Sequence, residues 1–158
     1  GAWRLQQAVD LVRPGIILYG GRMAGDLPEP RPVATLRARV VSLRAIPAGE
    51  SVSYGAEWRA ARNTMVATLG IGYADGVRRS VQNRAQVLLC GRRCPVIGRV
   101  TMDMVMVEAA ARVGDVATLI GGDGDQSITL DEFAGWAGTI SYEVLTGLGR
   151  RLPRVYTE

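Results

Sequence analysis

The sequence predicts a mainly β protein of about six or more short strands with two short helices, built as a barrel or a sandwich. Three observations carry this. Short β-branched runs recur at fairly regular spacing, separated by Gly, Pro and Asp-Gly signals. A long helical pattern between successive strands, the mark of a βαβ array, is missing. The clear helical signatures come late, after Ile128.

Residues 1–12 are short and mixed, and Val-Arg-Pro-Gly-Ile-Ile-Leu-Tyr-Gly follows at 12–20. Gly21, Gly25, Pro28, Pro30 and Pro32 then read as a linker, which places a boundary near residue 30. The first strand is predicted over 33–43, where apolar and polar residues partly alternate. Pro47-Ala48-Gly49 forms a turn. A second strand over 64–71 ends at Tyr73-Ala74-Asp75-Gly76, since Asp-Gly suits a turn. Residues 87–90 and 93–99 read as a hairpin around Gly91, with Cys94 half-buried. Two more strands, 103–108 and 116–120, are separated by Gly114-Asp115. Thr129-Leu130-Asp131-Glu132 matches a capping box, in which Thr129 and Glu132 satisfy each other's free N–H groups. That helix should run to about Trp136 and stop before Gly138. A second helix is predicted over 141–148, ended by Gly149, and the final Arg-Val-Tyr reads as an edge or closing strand.

The basic residues restrict the chemistry. All 19 are arginine, and the chain has no histidine and no lysine. Histidine is the usual acid–base group near neutrality and lysine forms Schiff bases. Phenols, thiols, carboxylates and backbone groups are what remain. The net charge of +4 is scattered, with small pairs at Arg78-Arg79, Arg92-Arg93 and Arg150-Arg151. Nucleic-acid binders concentrate charge and interleave aromatics, so these arginines read as a solvated surface. No apolar run is long enough to span a bilayer. At 158 residues the chain fits one domain, and its start at Gly1 rather than Met suggests a fragment or processed product.

Several motifs fail. Gly70-Ile-Gly72-Tyr-Ala-Asp-Gly76 has its third glycine one residue late for a dinucleotide fingerprint. Asp123-Gly-Asp125-Gln-Ser127 begins like a calcium loop, but Ile128 stands where glycine is needed, so it reads as an acidic turn. Cys90 and Cys94 lack the further ligands of a zinc site. The tyrosines remain. Ser-Val-Ser-Tyr54-Gly-Ala-Glu-Trp is a polar, glycine-containing loop after a strand, which reads as an interaction loop. Arg13 precedes Pro14-Gly15, where the N–H groups of Gly15 and Ile16 could hold a phosphate. Either signal is weak alone.

Together and in order, these segments resemble the C-terminal part of alanine racemase, a pyridoxal-phosphate enzyme. The matching stretches are 12–20, 52–58 (Val-Ser-Tyr-Gly-Ala-Glu-Trp) and 71–76 (Ile-Gly-Tyr-Ala-Asp-Gly). Gly-Arg-Val-Thr-Met-Asp (98–103), Thr-Ile-Ser-Tyr-Glu-Val-Leu-Thr-Gly-Leu-Gly (139–149) and Pro-Arg-Val-Tyr complete the set. That family joins a (β/α)8 barrel to a C-terminal β-domain. The resemblance narrows the fold to a Greek-key-like β-barrel over 31–158, with 1–30 the remnant of the preceding barrel and linker.

The resemblance also implies roles. Arg13 would face the pyridine nitrogen of pyridoxal 5'-phosphate. Gly15 and Ile16 would bind the phosphate by backbone N–H, and Tyr142 by its hydroxyl. Tyr54 would be the catalytic base on one face of the α-carbon, acting at the opposite subunit's cofactor, while a barrel lysine covers the other face. A phenol titrates near pH 10, so a phenol base at neutrality needs about 3–4 kcal/mol of help. Barrel residues supply it in that family. Tyr73, Met102 and Asp103 would line the partner's entrance and substrate-carboxylate end, although Met102 could equally be ordinary packing beside Met104 and Met106. The implied assembly is a cytoplasmic homodimer with shared active sites and an amino-acid substrate, binding no nucleic acid and no metal. This stretch alone should be inactive. A racemase for serine or another amino acid, or a non-catalytic association module, are the alternatives.

Overall fold

The computed structural model describes residues 10–11, 13–22 and 30–157. Most of the linker and the first residues therefore lie outside the described residues, as does Val12 of the 12–20 segment. Of residues 1–30, the described part is centred on a 3₁₀ turn at Gly15–Tyr19. Beyond it come β1 (Leu36–Ile46), β2 (Ser51–Val52), β3 (Trp58–Arg59), β4 (Thr64–Leu69) and β5 (Gln86–Leu89). Then follow β6 (Arg92–Ile97), β7 (Val105–Glu108), β8 (Val116–Asp123), β9 (Gln126–Ile128), α1 (Leu130–Ala137) and α2 (Ser141–Gly147). Among the described residues no helix is long and apolar enough to cross a membrane.

Seven strands form one antiparallel sheet in the order β1-β4-β7-β6-β5-β8-β9, and β1 also pairs with β8. The pairings thus return to their first strand and make a small barrel, with β9 appended to β8. Strands β5, β6 and β7 are consecutive neighbours, β4 lies beside β7 and β8 lies beside β5. Both arrangements are Greek keys.

Strand β1 shows how the sequence sets the ring. Leu36, Ala38 and Val40 point inward while Arg37, Arg39 and Val41 are exposed, a period-two pattern with one buried face. Its first half pairs with β8 and its second with β4, and the register slips between Val40 and Ser42. Such an irregularity bends a strand and lets it serve both neighbours. The predicted hairpin is present: Cys90 and Gly91 both have positive φ, at 53° and 71°, as a two-residue type I′ turn requires. Cys94 is buried rather than half-buried, because it sits on the inward face opposite Val87.

Three local expectations change. The acidic turn at 123–127 is the tip of a β8–β9 hairpin, with Asp123 paired to Gln126. The loop at 51–59 carries its own two-stranded ladder, Ser51 to Arg59 and Val52 to Trp58. The terminal Arg-Val-Tyr is no strand, and Val155 and Tyr156 are almost wholly exposed. One core cluster fills the barrel and extends to Phe133 and Ala137 of α1 and Val144 of α2, so the helices pack on it. Thr129 caps α1 by accepting the Glu132 N–H at 3.1 Å. The reciprocal arm of the predicted capping box is diverted: Glu132 receives two bonds from Arg93, at 2.6 and 3.2 Å. The arginine doublets are accordingly more than solvated surface. One member of each, Arg78, Arg93 or Arg151, forms an ion pair.

Candidate active site

Tyr54 is displayed by a braced loop. The Val52–Trp58 pair packs on a small apolar cluster that includes Ile46, Ile97 and Met106. Between the two short strands the chain turns through Ser53 (φ 71°, ψ 174°), Gly55 (φ 77°) and Ala56 (φ 50°). The Ser53 conformation is one that few residues but glycine adopt, and its cost must be met by surrounding contacts. The Ser53 hydroxyl donates to the Arg99 carbonyl at 3.0 Å. A Cβ on Gly98 would lie 2.8 Å from the Ser53 Cβ, so the bend that follows β6 presses directly on the loop. The Arg99 guanidinium runs beneath Gly55 and binds Glu57 at 2.5 Å, while Gln82 donates to the same carboxylate at 3.1 Å. The hydrogen bond from Arg99 holds the Glu57 carboxyl below its ordinary value. Tyr54 itself is 73% exposed.

A second pair of turns faces this loop. The Tyr73 turn and the Thr101–Asp103 turn are stitched by backbone bonds, Tyr73 N–H to Thr101 and Ala74 N–H to Met102, both at 3.0 Å. Their approach is possible because residue 72 is glycine: a Cβ there would lie 2.4 Å from both the Thr101 and Met102 carbonyl oxygens. Asp75 is buried and accepts the Gly72 N–H at 2.9 Å, which closes its own turn. Arg151 reaches Asp75 at 3.2 Å and Asp103 at 2.6 Å. The bond to Asp103, with the Asp75 charge added, raises the Arg151 guanidinium further above its ordinary value.

These elements enclose an open cleft of about 930 Å³ lined by Tyr54, Tyr73, Met102 and Asp103 together with Arg44, Arg79 and Arg99. Four of the residues singled out in the sequence therefore share one site. Met102 is exposed at this cleft, and Met104 and Met106 line it as well, with Met106 the most buried of the three. A separate cleft of about 630 Å³ gathers Gly15, Ile16 and Tyr142. There a Cβ on Gly15 would lie 3.7 Å from the Tyr142 hydroxyl, and Gly15 has φ 67°. Arg13 is exposed and does not line it. No residue lines both clefts. In the sequence, Glu57, Asp75 and Arg99 lie inside the motifs with no local signal for a place at the site, and Arg151 reads as surface charge. Their partners are 25 to 76 residues away in the chain, so no local pattern marks them.

Fold and geometry together define a β-barrel domain that carries two separate open clefts. A family model described as "Alanine racemase, C-terminal domain" matches residues 33–156. The chain belongs to this family. It is similar to the alanine racemases of Symbiobacterium thermophilum (47% identical, covering 93% of this chain and 41% of that protein) and Carboxydothermus hydrogenoformans (45%, covering 97% and 44%). Its fold matches the crystal structure of alanine racemase from Bartonella henselae with covalently bound pyridoxal phosphate. The TM-score is 0.86 at 36% identity, over 94% of this chain and 42% of that one. The alanine racemase from Bacillus anthracis with bound L-Ala-P gives 0.83 at 34% identity, over 91% and 39%. The chain thus spans about two-fifths of the length of the relatives it matches.

Proposed function

We propose that this chain is the C-terminal part of an alanine racemase whose intact form interconverts L- and D-alanine with pyridoxal phosphate, and that residues 1–30 belong to its preceding barrel. One observation carries the reading: all the candidate residues but Arg13 fall into two open clefts that share no residue. Two copies of the protein, each lending Tyr54 to the other's site, account for both clefts.

The residues present suit the cofactor. Gly15 and Ile16 begin a 3₁₀ turn, so their N–H groups have no partner within it. The absent side chain of Gly15 leaves room beside the Tyr142 hydroxyl. Two N–H donors and a phenol suit a phosphate, and Arg13 would lie towards the ring nitrogen. Arginine keeps its proton, so it cannot hand one to that nitrogen. The bound cofactor supplies an electron sink that makes the α-proton of an amino acid labile. Tyr54 takes or returns that proton on one face, at its hydroxyl oxygen. Met102, Asp103 and Tyr73 orient the substrate's carboxylate end and restrict the entrance. The exposure of Tyr54 supports this role, since a phenol reaching another subunit must stand clear of its own core.

The test uses the intact enzyme. Tyr54→Phe should cripple exchange of the α-proton of L-alanine with deuterated solvent far more than that of D-alanine. Equal loss for the two enantiomers would reject Tyr54 as the base of one face.

A further inference from the structure

We infer that Arg151 is a positioning residue for the Tyr54 cleft: it joins the turns that carry Tyr73 and Asp103 and offsets one of the two negative charges of Asp75 and Asp103. The inference rests on the racemase reading and deepens it by assigning a residue outside the cleft wall.

The geometry is specific. The Arg151 Nε meets Asp75 Oδ1 at 3.2 Å, and Nη2 meets Asp103 Oδ1 at 2.6 Å. One planar guanidinium therefore spans two carboxylates from different turns. Lysine, a single point of charge, lacks the planar fork that makes both contacts at once. The other oxygen of Asp75 is occupied by the Gly72 N–H at 2.9 Å, so this buried carboxylate is held from both sides. The backbone before Arg151 is seated on the same turn. The Gly149 N–H bonds the Asp75 carbonyl at 2.9 Å, and a Cβ on Gly76 would lie 2.4 Å from the Gly147 carbonyl oxygen. The C-terminal segment thus delivers the guanidinium to a position set by main-chain contacts. In charge terms, two carboxylates with Arg151 carry one net negative charge, and without it two. An amino acid brings its own carboxylate to Asp103, so that second charge repels it.

The experiment compares Arg151→Met, Asp103→Asn and the double variant in the intact enzyme. Two quantities are read: steady-state constants for L-alanine, and the Kd for acetate by calorimetry. Arg151→Met should raise KM and the acetate Kd by on the order of fivefold, with kcat within about twofold of wild type. The rise should shrink in high salt, which screens exposed charges. The double variant should have a KM no higher than Asp103→Asn alone. Wild-type KM and acetate Kd in folded Arg151→Met, or additive effects in the double variant, would overturn the inference. Should Arg151→Met fail to fold, Arg151→Lys replaces it. A partial rise supports the bridge and wild-type constants overturn it. A wild-type enzyme that does not racemise alanine would sink the functional reading instead, and acetate binding would still judge Arg151.

Discussion

Replacing Gly72 with alanine adds one methyl group at the tightest point beneath the candidate site. The backbone there is extended, at φ −152°, so a side chain brings no conformational penalty of its own. The cost is collision. The new Cβ would lie 2.4 Å from the carbonyl oxygens of Thr101 and Met102, and 2.5 Å from the Met102 carbonyl carbon. These are backbone atoms and cannot swing aside. Relief requires the Tyr73 turn to lift, stretching the two 3.0 Å bonds that stitch it to Thr101 and Met102. Each bond contributes about 1 kcal/mol, and overpacking a close contact adds about 1–3 kcal/mol. The total is about 3–5 kcal/mol, or a fall in Tm of roughly 10 °C for a chain of this size. Thermal unfolding of the purified chain, followed by circular dichroism, measures it. Gly135→Ala is the control, because it sits on the exposed face of α1 with nothing within 4 Å of its Cβ. That change should stabilise by about 0.5–1 kcal/mol. A Gly72→Ala protein that melts within about 2 °C of wild type would refute the steric argument, whatever the control does.

Three further outcomes are expected. The carboxyl of Glu57 is lowered chiefly by its hydrogen bond from Arg99, so its contribution is fully present above the unfolded value of about pH 4.3. It is lost as pH falls through the lower folded value. Urea midpoints of wild type and Glu57→Gln should therefore converge on acidification, and curves that stay parallel would contradict the pairing. The two thiols should label differently under native conditions. Cys94 is buried and should stay unreacted. Cys90 is exposed, but desolvation, then its contact with Asp115, pushes its thiol above the ordinary range. Alkylation near neutrality should be slow, and Asp115→Asn should speed it; equal rates in a timed iodoacetamide assay would discount the Asp115 contact. Finally, the purified chain with added pyridoxal phosphate and L-alanine should form no D-alanine, as a chiral amino-acid assay would show.

Much of the barrel was legible in the residues because its signals are local. The alternation of Leu36, Ala38 and Val40 with exposed neighbours marks a half-buried strand. Cys90-Gly91 and Thr129 announce a hairpin and a helix start within a few residues. The β8–β9 hairpin is not legible because its second strand is only Gln126–Ile128, too short for a period to register. The ladder around Tyr54 is shorter still, and Val52 and Trp58 pair because a distant cluster of Ile46, Ile97 and Met106 receives them.

The chain by itself determined which chemistries were open: with arginine as its sole base and no imidazole, it left phenols, thiols, carboxylates and backbone groups to act. Its ordered motifs named the residues. Only the tertiary structure decided how they are shared, putting Tyr54, Tyr73, Met102 and Asp103 on one cleft and Gly15, Ile16 and Tyr142 on another. It also decided that Arg151 joins Asp75 to Asp103 across 76 and 48 residues of sequence. The physical reason is that turn and strand preferences act over a few neighbours, whereas a cleft is formed where barrel closure brings remote turns into contact.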